Sequence, residues 1–302
     1  MIPLITNPVY SYSFNEKHRF PMEKFAHLTR YLTEKGMATP KNTFRPGRAK
    51  REALELAHSA AYLDSFIHNT QTKQEQRRMG LPWSEGLVKR TLISPNGTLL
   101  AGSLALQNGI ACHLAGGTHH AHRDFASGFC ILNDLAITAL ALLALKKCTK
   151  VLIFDCDVHQ GDGTATILQH EPRVFTCSVH CEKNFPARKA KSDLDVELPK
   201  GMQDKAYLEV VTRTFETLIQ TQQPDFILYD AGVDVYEHDP LGLLNITQDA
   251  IFMRDRNVLQ LCRQHGIPVA TVIGGGYDDD RIALARRHAI VTEAAFDVYG
   301  DV

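Results

Sequence analysis

Five short apolar runs recur along this chain, each separated from the next by a stretch with helical periodicity and each ending in, or followed at once by, a cluster containing glycine, histidine or aspartate. The runs are GIACHLA, KVLIFDCDVH, RVFTCSVH, PDFILYDAGVD and IPVATVIGGGY, and the segments between them that read as helices are 133–147, 162–170, 203–222 and 247–265. This alternation predicts an α/β fold: a parallel β-sheet with helices on both faces. Further helical patterns at 22–36, 48–68 and 84–107 are expected to pack around that sheet. In an open parallel sheet the carboxyl ends of the strands line the ligand crevice. The clusters GGTHHAH, DCDVHQGDG, SVH, GVD and GGGY are therefore expected to converge on one site.

With 302 residues, 44% of them hydrophobic, the chain can bury a large core. No Gly/Ser linker, charge block or repeat divides it, so residues 1–302 are expected to form a single domain. A net charge of −1 gives no reason to expect a nucleic acid or an anionic membrane as partner. The start, MIPLITNPVYSYSF, lacks a basic segment followed by an apolar one, and the apolar run LAITALALLAL is too short to span a bilayer. These features lead us to expect a cytoplasmic protein. The seven cysteines show no CxxC spacing and read as buried free thiols.

The stretch VLIFDCDVHQGDG places Asp155, Asp157 and His159 at alternate positions, which in a strand share one face. Burying two neighbouring carboxylates uncompensated would cost about several kcal/mol, so a cation is the natural partner. The bland alternative is an Asp–His pair at a helix cap. With Asp234 added, Asp157 and His159 offer one nitrogen and two oxygen donors and leave a coordination position open, as a catalytic Zn²⁺ or Fe²⁺ site requires. His119 and His120 follow two glycines, and Asp155 and Asp162 are available to orient them; two imidazoles with two orienting acids read as general acid/base machinery, although adjacent loop histidines are often surface residues. Tyr277, behind three glycines, is placed to bring a phenol hydroxyl onto a developing oxyanion, or simply to pack its loop.

Through GGTHHAHRDFASGFCILND, DCDVHQGDG, GVDVYEHDPLG and GGGY, over about residues 100 to 290, the sequence resembles the zinc-dependent histone deacetylase family, of arginase/deacetylase-like fold. Its compact length and the stretch NFPARKAKSDLDVELPKG are similar to the small class IV type and its bacterial relatives. The resemblance implies a hydrolase of acetyl or longer acyl groups on the lysine side chain of proteins or peptides, or of a small acylated amine. Asp157, His159 and Asp234 would bind the metal, and Tyr277 would stabilise the tetrahedral oxyanion. His120, buttressed by Asp162, would be general base and then acid, while His119, held by Asp155, would contact the water. Phe129 would form one wall of the acyl-lysine tunnel with Gly128 beside it, Phe185 the opposite wall, and Leu241 and Gly275 further substrate contacts. Asp155, Asp157, His159 and Ser178 match a structural K⁺ site.

Three other readings compete. Arginase-like hydrolases share the fold but need further aspartates where this chain has Gly161 and Gly232, which removes the ligands of a second metal. An acetylpolyamine amidohydrolase would share every catalytic motif; some such relatives carry an acidic gate after the DP dipeptide, whereas Leu241 follows Asp239 and Pro240 here, and an apolar gate suits an acyl-lysine better than a polycation. A catalytically dead acyl-lysine-binding module would be expected to have lost a ligand or the tyrosine, and none is missing.

Overall fold

The computed structural model describes residues 1–15 and 17–300. Among them eight strands form one sheet: β1 (Leu4–Ile5), β2 (Thr43–Phe44), β3 (Ile110–His113), β4 (Val151–Asp155), β5 (Val174–Cys181), β6 (Leu194–Leu198), β7 (Phe226–Asp230) and β8 (Val269–Val272). Every pairing is parallel, in the order β2-β1-β3-β8-β7-β4-β5-β6.

Strand alternation sorts the core into two layers. Leu152 and Phe154 of β4 and Ile227 and Tyr229 of β7 pack with Phe25, Leu28 and Leu32 of α1 (Lys24–Glu34) and with the apolar faces of α8 (Asp204–Gln222), α9 (Gln248–His265) and α10 (Arg281–Tyr299). Val151 and Ile153, Phe226 and Leu228 turn the other way, towards α2 (Arg51–Glu55), α3 (Ala60–Ile67), α4 (Lys73–Met79), α5 (Glu85–Asn108), α6 (Asp134–Ala144) and α7 (Asp162–Leu168). A sheet buried on both faces explains why its central strands read as continuous apolar runs.

Four expectations need adjustment. The segment 48–68 is two helices, because Ser59 caps α3 by accepting a hydrogen bond from the Tyr62 amide and so starts a new helix there. Strand β4 ends at Asp155, so Asp157 and His159 lie in the loop beyond it. Ser178 and His180 belong to β5 itself and do not follow it. The helix α10 was not anticipated: its buried residues, including Leu284, Arg287, His288, Ala289, Ile290 and Val291, surround the axis, so no single apolar stripe marks it. No helix among the described residues is long and apolar enough to cross a membrane.

Candidate active site

Beyond β4 the chain leaves the sheet through two successive turns in which a carboxylate caps the amide two residues ahead. Asp155 Oδ1 accepts from the Asp157 amide at 3.0 Å, and Asp157 Oδ1 accepts from the His159 amide at 2.9 Å. These local bonds keep Asp157 and His159 close together although the strand has ended. Asp234, in the loop after β7, is fixed by the Val158 amide, which donates to its Oδ1 at 2.9 Å. His159 Nδ1 then lies 3.0 Å from both Asp157 Oδ1 and Asp234 Oδ2.

Three buried donor atoms at this spacing fit one cation: tetrahedral bonds of about 2.0–2.2 Å place ligand atoms roughly 3.3 Å apart. Electrostatics agrees. Burial and the charge of Asp157 push the Asp234 carboxyl up to about 6. Burial opposes a charge on His159, yet its hydrogen bonds to Asp157 and Asp234 push the ring up to about 10. The pocket thus draws a positive charge to the point between the three groups. Gly275 closes the cradle: its amide donates to Asp157 Oδ2 at 2.6 Å, and a Cβ there would come within 2.1 Å of Asp234 Oδ2. A Cβ at Gly161 would meet Asp155 Oδ2 at 2.5 Å, and one at Gly232 would meet Asp157 Cα at 2.7 Å, so there is no room for the aspartates of a two-metal site.

The two histidines occupy the loop after β3, held at the start of α6. Asn133 caps that helix through the Ala136 amide and donates to the carbonyls of His119 and Ala121, while Asp134 accepts from the amides of Gly117 and Thr118. His119 Nδ1 meets Asp155 Oδ2 at 2.7 Å and His120 Nδ1 meets Asp162 Oδ1 at 2.6 Å. The rings lie 4.1 Å apart, yet their environments differ. Burial disfavours charge on both. At His119 the carboxylates of Asp155, Asp157 and Asp230 outweigh it and raise the imidazole well above its ordinary value. At His120 burial and the neighbouring His119 prevail over Asp162 and lower it to about 4. One ring is thereby suited to carry charge and the other to accept a proton.

Tyr277 enters from the loop after β8, its amide donating to Asp239 Oδ2 at 2.7 Å. Burial, then the charges of Asp234 and Asp157, raise its phenol well above the usual range and keep the hydroxyl a donor. Its ring lies 6.0 Å from that of Phe129. Phe129 holds a left-handed backbone, φ +67°, which a bulky side chain adopts at a cost of about 1–3 kcal/mol. Its amide donates to the Met79 carbonyl, and its ring joins Gly128, His119, His120, Asp157, His159, Gly275 and Tyr277 around one narrow pocket. Phe185, 44% exposed, stands at the edge of this cluster with its ring 4.8 Å from that of His120. Leu241 is not brought to the pocket wall; its amide donates to Asp239 Oδ1 and its carbonyl accepts from Asn184. Ser178 pairs with Asp155 across β4 and β5.

The sequence reading missed several groups. Lys24 and Arg90 line the same pocket. Asp230 ends β7, fully buried and with neither carboxylate oxygen hydrogen-bonded among the described residues, and it groups with His119 and Asp155. Asp239 anchors the tyrosine loop, and His122 shares Asp162 with His120 through Nε2 at 3.1 Å. Asp230 and Asp239 lay within quoted motifs; Lys24 and Arg90 lie on distant helices, where nothing local marks them.

Comparison with known proteins finds relatives that match most of the chain. A protein of Picosynechococcus sp. is 47% identical over 297 residues, covering 98% of this chain and 99% of its own. Histone deacetylase 2 of Arabidopsis thaliana is 28% identical over 91% of this chain and 74% of its own length. The acetoin utilization protein AcuC of Staphylococcus aureus is 29% identical over 90% of this chain and 75% of its own. In fold, the chain resembles the HD domain of HDA15, with a TM-score of 0.81, 20% identity and coverage of 99% and 91%, and a histone deacetylase homologue complexed with SAHA, with a TM-score of 0.79, 22% identity and coverage of 97% and 84%. The family pattern of the histone deacetylase domain matches residues 18–293, and the chain therefore belongs to the histone deacetylase family of hydrolases.

Proposed function

We propose that this protein is a metal-dependent deacylase that hydrolyses the amide of an acylated lysine side chain in a protein or peptide. The observation that carries this reading is the convergence of His119, His120, Asp157, His159 and Tyr277 on one pocket, with Asp234 behind it completing the buried donor triad and Asp155 and Asp162 bonded to the two histidines.

In this reading Asp157, His159 and Asp234 hold a Zn²⁺, with Fe²⁺ an alternative for the same donors. The metal supplies Lewis acidity to the amide carbonyl and to water. His120, whose Nδ1 is tied to Asp162, presents Nε2 to the pocket, takes the proton of the attacking water and returns it to the departing amine. His119, held by Asp155, orients that water and offsets negative charge. The Tyr277 hydroxyl donates to the tetrahedral oxygen. Phe129 and Phe185 guide the lysine stem past Gly128, and Leu241 acts on substrate only from outside the pocket wall. A K⁺ bound by the Asp155, Asp157, His159 and Ser178 group would steady the loop after β4; the pairing of Asp155 with Ser178 supports it. We place the protein among the class IV-like members and in the cytoplasm.

Hydrolysis of acetyl-, butyryl- and myristoyl-lysine peptides, measured beside N-acetylated polyamines on Zn²⁺- and Fe²⁺-loaded protein, tests the assignment. Turnover of the peptides is expected; turnover of the polyamines alone would replace it with an amidohydrolase of small amines.

A further inference from the structure

Among the described residues, two buried cations in the active-site pocket form no ion pair with an acid. Lys24 is 3% exposed and Arg90 6% exposed, and both line the pocket that holds His119, His120 and Tyr277. Lys24 Nζ lies 3.0 Å from His288 Nε2 and 3.4 Å from the Gly276 carbonyl. Arg90 uses only Nε, which donates to the Tyr10 carbonyl at 3.1 Å; among the described residues its two terminal nitrogens have no hydrogen-bond acceptor. The cations share the same two rings: Lys24 Nζ is 5.8 and 5.5 Å from the centroids of Phe20 and Phe25, and Arg90 Cζ is 5.6 and 4.8 Å from them. Lys24 Nζ is also 5.9 Å from the Tyr277 ring.

Among the described residues, the carboxylates near the two cations are already engaged: the one acting on Arg90 is Asp134, which accepts from the Thr98 and Thr118 hydroxyls and from the Gly117 and Thr118 amides. The carboxylates acting on Lys24 are those of Asp234, Asp157 and Asp239. The first two belong to the proposed metal triad, and the third accepts from the amides of Tyr277, Leu241 and Gly242. Desolvating an ammonium and a guanidinium is costly unless an anion answers them, and the free end of a guanidinium matches a carboxylate in particular. The acyl half of a substrate must occupy the buried end of the pocket, because the lysine half stays attached to its peptide at the mouth. An apolar acyl tail would take water from the Arg90 donors without replacing it, at a cost of about 1–3 kcal/mol that a carboxylate would not incur.

We propose, building on the deacylase reading, that Lys24 and Arg90 recognise a carboxylate at the far end of the acyl group, so that this protein prefers dicarboxylic acyl-lysines of the succinyl or glutaryl type to apolar chains of equal length. The reaction remains a hydrolysis: water adds to the amide carbonyl, the C–N bond breaks, the amine takes a proton, and lysine and a dicarboxylate are released.

The test is kcat/KM on matched peptides carrying acetyl-, butyryl-, valeryl-, succinyl- and glutaryl-lysine, using the metal-loaded enzyme and its Lys24→Gln and Arg90→Gln variants. The expected result is that wild type favours succinyl over butyryl by about tenfold or more, and that each variant reduces this ratio by about tenfold. Turnover of acetyl- and butyryl-lysine without a succinyl or glutaryl preference overturns the proposal and leaves the deacylase reading intact. The same holds if free acetate inhibits competitively while no such preference exists, which would assign the cations to the released acid. Failure to cleave any acyl-lysine peptide overturns both. The wild-type panel decides even if a variant does not fold.

Discussion

Arg254 and Gly232 are joined by a 2.8 Å hydrogen bond from the buried guanidinium of α9 to the backbone carbonyl two residues before Asp234. The same Nη1 reaches the Cys156 carbonyl at 3.3 Å, immediately before Asp157, so one side chain ties together the two loops that bear the carboxylates of the triad. Asp255 Oδ1 receives Arg254 Nε at 2.8 Å and the Tyr229 hydroxyl at 2.6 Å. Removing the cation leaves Asp255 buried without its partner, so Arg254→Met should destabilise the fold by about 3–5 kcal/mol. It should also weaken metal binding in a competition titration. A urea midpoint and metal affinity both equal to wild type would contradict this.

For the triad, Asp157→Ala and Asp234→Ala should each lose metal and hydrolytic activity together, because a carboxylate ligand cannot be replaced by a methyl group. Metal content by elemental analysis is the readout. Stoichiometric metal in both purified variants would place the metal elsewhere.

Tyr277→Phe should retain metal and substrate affinity while kcat falls by roughly a hundredfold or more, as is typical of losing one donor to an oxyanion. A kcat within a few-fold of wild type would mean that another group stabilises the tetrahedral oxygen.

Phe129→Ala should mainly raise KM, because the ring forms a pocket wall and makes no hydrogen bond to the reacting atoms. Steady-state kinetics on the best peptide substrate separates this from a loss confined to kcat, which would argue against a wall.

Acid should destabilise the protein through His58, whose Nδ1 donates to the His122 carbonyl and whose Nε2 accepts from the Asn133 amide. Burial lowers this imidazole to about 4. Between that value and the unfolded value near 6.5 the unfolded chain binds more protons, so the stabilisation is complete above 6.5 and declines as the pH falls towards 4. From pH 7 to pH 5 the loss attributable to this residue is about 2 kcal/mol. Denaturant unfolding at the two pH values should show a smaller loss in His58→Gln than in wild type; equal losses would exclude His58 as the cause.

Much of the site was legible because its chemistry sits at strand ends, where an apolar run that stops at aspartate or histidine is conspicuous. Asp157, His159, Asp234, His119, His120 and Tyr277 all carried that signal, and the pocket gathers most of them. The strand assigned through His159 stopped short at Asp155 because side-chain-to-backbone bonds took over from the ladder, which alternation alone cannot distinguish. The two-residue strands β1 and β2 offered too few residues for a period, and the half-exposed edge strand β6, LDVEL, lacked an apolar run. Lys24 and Arg90 escaped notice because a lysine or arginine in a helix ordinarily faces water, and only tertiary packing turned these two inward.

The position of β8 between β3 and β7 carries a consequence for biosynthesis. Until Val269–Val272 is made and inserted, β3 and β7 are open edges flanked by apolar faces, the arrangement that invites pairing with another chain. The residues that close this gap lead directly into Gly275 and Tyr277. A nascent polypeptide is therefore most prone to aggregate, and most in need of a chaperone, during the interval before it can acquire catalytic power, and no shortened translation product should act as a rogue hydrolase.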